Sequence, residues 1–286
     1  MLNLRFVTNR SLAIAIAMCG SGLAALVAPP AMRFLIDAFD WRVAYQLMGL
    51  ILAGGCAVMT LLFFHDDRPR RAETKSETAK RPARQMRALL LSPNFIKIGI
   101  ASFIIMGANG AFMIHLSPAL VDKGLSPAMA AEFAGIAGIG TIAGKLCIGW
   151  LFDRLGLTLV TIGVMLDFAL ASILLAMGGG QTGIVLLTCL AAGSAGGAIL
   201  TLLTCLAPRF FPVEDFGLVF GVLMSIMGLT VAFSPSAVSW VHDQTGSYAP
   251  AFWVGVGAAA VSAVLLTTLQ PVKSEKRASA DPAEAY

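Results

Sequence analysis

Residues 157–177 read LTLVTIGVMLDFALASILLAM, an apolar run broken by a single ionisable group, Asp167. At about 1.5 Å per residue, a helix of this length spans about 30 Å, the thickness of a bilayer's hydrocarbon core. The run lacks period-two alternation, so a membrane β-barrel is disfavoured. A helix instead pairs every backbone polar group internally, as hydrocarbon demands. Outward from this stretch, runs of the same kind recur at Ser11–Ile36, Val43–Phe64, Phe95–Val121, Ala128–Phe152, Thr182–Ala207, Phe216–Val241 and Tyr248–Leu269. The sequence predicts an all-α polytopic membrane protein with eight transmembrane helices, Leu157–Met177 being the fifth.

The composition agrees. Of 286 residues, 57% are hydrophobic and 13% charged, against about 25% charged in soluble domains. That excludes a soluble enzyme, a nucleic-acid binder and a disulfide-stapled secreted domain. The net charge of +4 does not imply nucleic acid, because the basic residues sit in loops beside spans. Cys19, Cys56, Cys147, Cys189 and Cys205 all lie inside apolar runs without a C-x-x-C pair. They read as small core side chains, with no metal site or disulfide.

Turn chemistry separates the runs, as at Asp40-Trp41-Arg42, Gly124-Leu125-Ser126-Pro127, Gly178-Gly179-Gly180 and Asp243-Gln244-Thr245-Gly246. His65–Asn94 is longer, polar and basic, and reads as a flexible cytoplasmic loop. With a cytoplasmic N-terminus, 17 of the 20 Lys and Arg face the cytoplasm, and Arg33, Arg42 and Lys123 face outward. That asymmetry places both termini inside, in a cell membrane. Arg5 and Arg10 before an apolar stretch resemble a signal peptide, but the run to Ile36 exceeds a signal core.

Shifting the chain by 206 residues lays the first helix pair on the last without a gap. Met18 meets Met224, Gly22-Leu23 meets Gly228-Leu229, Pro29 meets Pro235, Asp37 meets Asp243 and Gly49 meets Gly255. A repeat of this length contains six helices, so the architecture reads as 2 + 6 of a 12-helix, two-bundle parent. Residues 1–64 are then the last two helices of an N-terminal bundle, 65–94 the central loop, 95–270 a six-helix C-terminal bundle and 271–286 a polar cytoplasmic tail. Four preceding helices are expected to be missing, which would leave this chain alone unable to transport.

Between the fourth and fifth runs stands Gly149-Trp150-Leu151-Phe152-Asp153-Arg154-Leu155-Gly156. It resembles the G-x-L-x-D-R-x-G loop signature of the major facilitator superfamily. Arg10-Ser11-Leu12-Ala13, Gly20-Ser21-Gly22, Pro29-Pro30 and Trp41-Arg42 together look like the fifth helix and following loop of monocarboxylate-transporter-like members. The resemblance implies a secondary transporter working by alternating access, with Gly149, Asp153, Arg154 and Gly156 as a cytoplasmic gate loop. Physically, Gly149 would let helices approach and Gly156 would permit the turn. A solvated interfacial charge pair is the alternative for Asp153 and Arg154.

Other polar residues stand inside spans. Asp167 lies near the midplane, where an ionised carboxylate must be paired, wet or protonated. It is the proton-coupling candidate, against a structural hydrogen-bonded carboxyl. Asn109 and His115 on the third helix and Ser194 on the sixth are substrate-binding candidates, with Thr201 and Thr204 behind them. Helix–helix hydrogen bonds are the alternative. Lys145, nine residues before Arg154, reads as snorkelling to the interface, with lining a cavity as the alternative. Gly140/Gly144, Gly193/Gly197 and Gly217/Gly221 are small-x-x-x-small pairs suited to close packing. Gly138-Ile139-Gly140-Thr141-Ile142-Ala143-Gly144 has the wrong spacing and context for a dinucleotide loop.

The expected partners are a small-molecule solute, an organic anion by resemblance, with a proton as candidate coupling ion, and the lipid bilayer. No cofactor is implied. A membrane enzyme would need clustered catalytic groups, and His65, His115 and His242 are far apart in sequence. A non-transporting membrane scaffold or sensor is the alternative function.

Overall fold

A computed structural model of the chain describes residues 16, 18–63, 87, 89–211 and 215–269. The expectations for residues 1–15, nearly all of the 65–94 loop and the 271–286 tail fall outside the described residues. The helices are α1 Gly20–Phe39, α2 Trp41–Phe63, α3 Pro93–Asp122, α4 Pro127–Arg154, α5 Leu157–Met177, α6 Thr182–Phe210, α7 Phe216–Thr245 and α8 Ala249–Thr267. Eight helices among the described residues are long and apolar enough to cross a membrane, and no strand is present among them. Each expected span finds its helix, and α5 matches at both ends.

Short polar side chains and prolines set the helix starts. Ser92 caps α3 by accepting from the Phe95 amide at 3.3 Å, with Pro93 in the first turn. Ser126 caps α4 through the Met129 amide at 3.3 Å, followed by Pro127. Each hydroxyl satisfies an amide that the first turn leaves without a partner, and each proline has no amide to satisfy. Gly124, at φ 92°, and Gly246, at φ 68°, make the left-handed turns after α3 and α7. Asp40 takes φ 87° and ψ 152° between α1 and α2, outside the left-handed helical region that Asp commonly visits.

The core is built from α3–α8 alone, running from Phe95 to Leu266. The tightest pairing is α4 with α6, followed by α5 with α8 and α3 with α7. At the α4–α6 crossing, Gly140 and Gly144 face Gly193 and Gly197. A Cβ added at Gly193 would lie 1.9 Å from the Ala137 carbonyl oxygen, and one at Gly197 would lie 2.3 Å from that of Thr141. Gly140 and Gly144 are equally tight against the Leu190 and Ser194 carbonyls. Gly217 and Gly221 have nothing within 4 Å of an added Cβ. Among the described residues their spacing serves no packing contact, and that expectation is corrected for them.

The leading pair stands outside this core. α1 packs on α4, while α2 leans chiefly on α1 and presents almost all of its surface outward. Leu61 is 77% exposed on α2 and Leu166 63% exposed on α5. In water such faces would be a large penalty, but lipid tails match them. The 206-residue shift carries Phe39, the end of α1, onto Thr245, the end of α7. Of the cysteines, only Cys189 and Cys205 are buried, and Cys56 and Cys147 are exposed on their helices. The core reading holds for the first two alone.

Candidate functional site

Asp167 and Ser194 meet. The Ser194 hydroxyl donates to the Asp167 Oδ2, and also approaches its own Ala191 carbonyl at 3.2 Å. Asp167 projects from α5 toward α6, between the buried Met165 and Phe168 on its own helix. Ser194 sits where Gly144 presses on its backbone. The proton-coupling candidate and one substrate-binding candidate are thus each other's partners at a helix contact. Thr201 and Thr204 donate to carbonyls one turn back, Gly197 at 2.9 Å and Leu200 at 2.8 Å.

Asn109 is buried on α3 opposite α6. An added Cβ at Gly196 would come 3.2 Å from its Oδ1, so Gly196 makes the space that admits the amide. That Oδ1 has no hydrogen-bond partner among the described residues. A buried acceptor left so costs about 1–3 kcal/mol. His115, one and a half turns further along α3, is committed differently. Its Nδ1 lies 2.9 Å from the Ala111 carbonyl and its Nε2 3.1 Å from the Ser239 hydroxyl of α7. The carbonyl only accepts, so Nδ1 carries the hydrogen and Nε2 is free to accept from Ser239.

His115 also joins a cluster that the sequence kept apart. Its ring lies 5.2 Å from that of Tyr248, which stacks at 4.1 Å on His242. His242 Nε2 pairs with Asp122 at 3.0 Å. His115 and His242, distant along the chain, share one tyrosine, so their sequence separation was misleading. Asp122, Lys123, His242 and Tyr248 line a cleft of about 570 Å³ at this end of the bundle. Lys123 donates to the Gly178 carbonyl, and burial holds its ammonium below the ordinary lysine pKa.

Lys145 corrects the snorkelling expectation. It is 2% exposed and reaches across from α4 to α1. Its Nζ donates to the Met18 carbonyl at 2.8 Å and to the Ser21 hydroxyl. No carboxylate pairs with it among the described residues. Nine residues of helix, about 13 Å, separate it from the membrane edge at Arg154, too far for a lysine stem. Just beyond it along the seam, Gly22 of α1 presses on Ile142. Further out, the same two helices part into a cleft of about 450 Å³ lined by Arg33, Asp37 and Glu132. Lys145 is buried between helices, which favours the cavity-lining alternative over the interface. The available signal was a lysine standing so deep inside an apolar run.

In the gate loop, Gly149 is buried near the end of α4, and the Asp153 side chain lies outside the described residues. Arg154 stacks over Trp150 at 4.3 Å, an attraction between cation and ring face that fixes it at the helix end. Gly156 has φ −64° and ψ 148°, backbone open to any residue. It begins α5 without needing to be glycine, so its expected role in permitting the turn is corrected.

Apolar helices of spanning length with polar groups sealed inside define a polytopic integral membrane protein. A family model described as Major Facilitator Superfamily matches residues 1–202 and again residues 98–285. The chain belongs to that superfamily of membrane transporters. It is 26% identical to human monocarboxylate transporter 11 over 258 residues, covering 86% of this chain and 54% of that protein. It is 28% identical to mouse monocarboxylate transporter 11, covering 87% and 57%, and 26% identical to mouse monocarboxylate transporter 12, covering 95% and 62%. The chain thus spans little more than half the length of these relatives. Among solved structures, the Major Facilitator Superfamily transporter FucP in the outward conformation matches with a TM-score of 0.55 at 16% identity, covering 81% of this chain and 56% of that one. That likeness supports the fold.

Proposed function

We propose that this chain is the solute-binding part of a secondary transporter for a small organic anion of the monocarboxylate class, working by alternating access. The observation that carries the anion is Lys145. Among the described residues the buried ammonium is held by a carbonyl and a hydroxyl and meets no carboxylate, in a seam where a charge is costly to leave unpaired. A carboxylate is the natural occupant, since charge-assisted pairs are the stronger ones. Similarity to monocarboxylate transporters points to the same chemistry. Asn109 supplies a buried acceptor without a partner among the described residues, suited to a donor on the solute. His115 and Ser194 have hydroxyl and carboxylate partners already, so as substrate contacts they would act only after those partners separate. Asp167 remains the candidate for carrying a coupled proton, its link to Ser194 changing with protonation. Asp153 and Arg154 are proposed to hold the cytoplasmic side closed, in a cell membrane with both termini inside.

The test is equilibrium binding to the 286-residue chain in lipid nanodiscs. Saturation-transfer NMR is expected to show saturable contact with pyruvate and acetate and none with the neutral isostere acetamide. Equal signals from acetate and acetamide would remove the charge from the account.

A further inference from the structure

The seam between α1 and α4 is fastened at the turn that leads into α1. The Gly22 amide bonds to the Cys19 carbonyl at 2.9 Å, and the Leu23 amide to the same oxygen at 3.1 Å. That leaves the Met18 carbonyl outside the helical ladder. It is satisfied instead by the Ser21 hydroxyl in the first turn of α1 at 3.2 Å and by Lys145 of α4 at 2.8 Å. Lys145 completes the triangle by donating to the Ser21 oxygen as well. Buried backbone acceptors must be paired, so the ammonium of one body is holding a polar group of the other. Below this point the helices are joined, and on the far side of the Gly22–Ile142 contact they diverge into the Arg33–Glu132 cleft. α1 is also the helix through which the leading pair meets the six-helix core.

We propose that Lys145, Ser21 and the Met18 carbonyl form an anion-released latch between the leading helix pair and the six-helix bundle. This rests on the anionic-solute reading of Lys145 and adds what binding does. The ammonium has neutral oxygens as partners while the latch is shut. An arriving carboxylate is the stronger partner, and turning toward it frees α1. Ser21 helps hold the shut state, because its oxygen is one of the two acceptors that bind the ammonium. Solute occupancy and the freedom of the two bodies to move are thereby one event, which is the coupling a carrier needs to avoid moving empty.

Cys19 reports on the latch from inside the same turn, half-buried between its two components. The full chain carrying Cys56→Ala, Cys147→Ala, Cys189→Ala and Cys205→Ala is placed in nanodiscs and treated with a maleimide, with sodium chloride as the ionic-strength control. Pyruvate is expected to raise the Cys19 labelling rate about tenfold, the scale of losing one hydrogen bond to a charged group. Ser21→Ala is expected to label fast without pyruvate and to respond little to it. Lys145→Met is expected to do the same, and Ser21→Ala keeps the test sound if Lys145→Met fails to fold. Saturable pyruvate contact by NMR with an unchanged Cys19 rate would overturn the latch and leave the anion site standing. Absence of saturable pyruvate contact would overturn both.

Discussion

Gly193→Ala should unfold this protein about 10 °C below the unsubstituted chain in a detergent thermal scan, whereas Gly217→Ala should not shift it measurably. The added methyl at Gly193 would stand 1.9 Å from the Ala137 carbonyl oxygen, where an ordinary C···O contact is about 3.3 Å or more. Neither atom is on a flexible side chain, so α4 and α6 must move apart by more than an ångström. Lipid tails are as apolar as the core, so close packing and interhelical hydrogen bonds do most of the work of association. Opening the crossing forfeits contacts along its length. Overpacking of this kind costs about 3 kcal/mol, and for a domain of this size each kcal/mol shifts the midpoint by about 3 °C. At Gly217 no described residue lies within 4 Å of the added Cβ, so the methyl meets none of the packed helices. Equal midpoints for the two variants would remove the glycine crossing as the centre of the bundle.

The second large effect belongs to Lys145→Met. Methionine keeps the length and apolar stem and deletes the charge. Pyruvate affinity is expected to fall about a hundredfold, in line with the roughly 3 kcal/mol for removing one partner of a buried ion pair. Lys145→Arg keeps the charge and should hold most of the affinity. Titration by saturation-transfer NMR decides it. An affinity within twofold of the original in Lys145→Met would place the anion elsewhere.

The spans were legible because hydrocarbon imposes one rule on every residue of a crossing segment, and the rule is local. Ser126-Pro127 was legible as a turn, whereas Ser92-Pro93, which starts α3, fell inside the stretch assigned to the loop. Partners were not local. Gly193/Gly197 and Gly217/Gly221 have the same spacing, and only the placement of α4 tells a packing pair from an idle one. Asp167 stood out as a buried acid, but Ser194, 27 residues on, had to be brought beside it by the α5–α6 contact. Lys145 was visible as an anomaly while its direction was not, because the oxygens it binds lie 124 and 127 residues away, at the start of α1 and just before it. Gly156 shows the reverse error: a glycine at a turn suggested a need for glycine, and its φ of −64° shows none.

All of this requires that successive turns lie on opposite faces of a bilayer. Gly156, between α4 and α5, and Gly179, between α5 and α6, both have nothing within 4 Å of an added Cβ, so each accepts a reporter thiol. In an otherwise cysteine-free chain in intact cells, a membrane-impermeant maleimide should label Gly179→Cys at once and Gly156→Cys only after permeabilisation. Equal labelling of the two in intact cells would contradict the account.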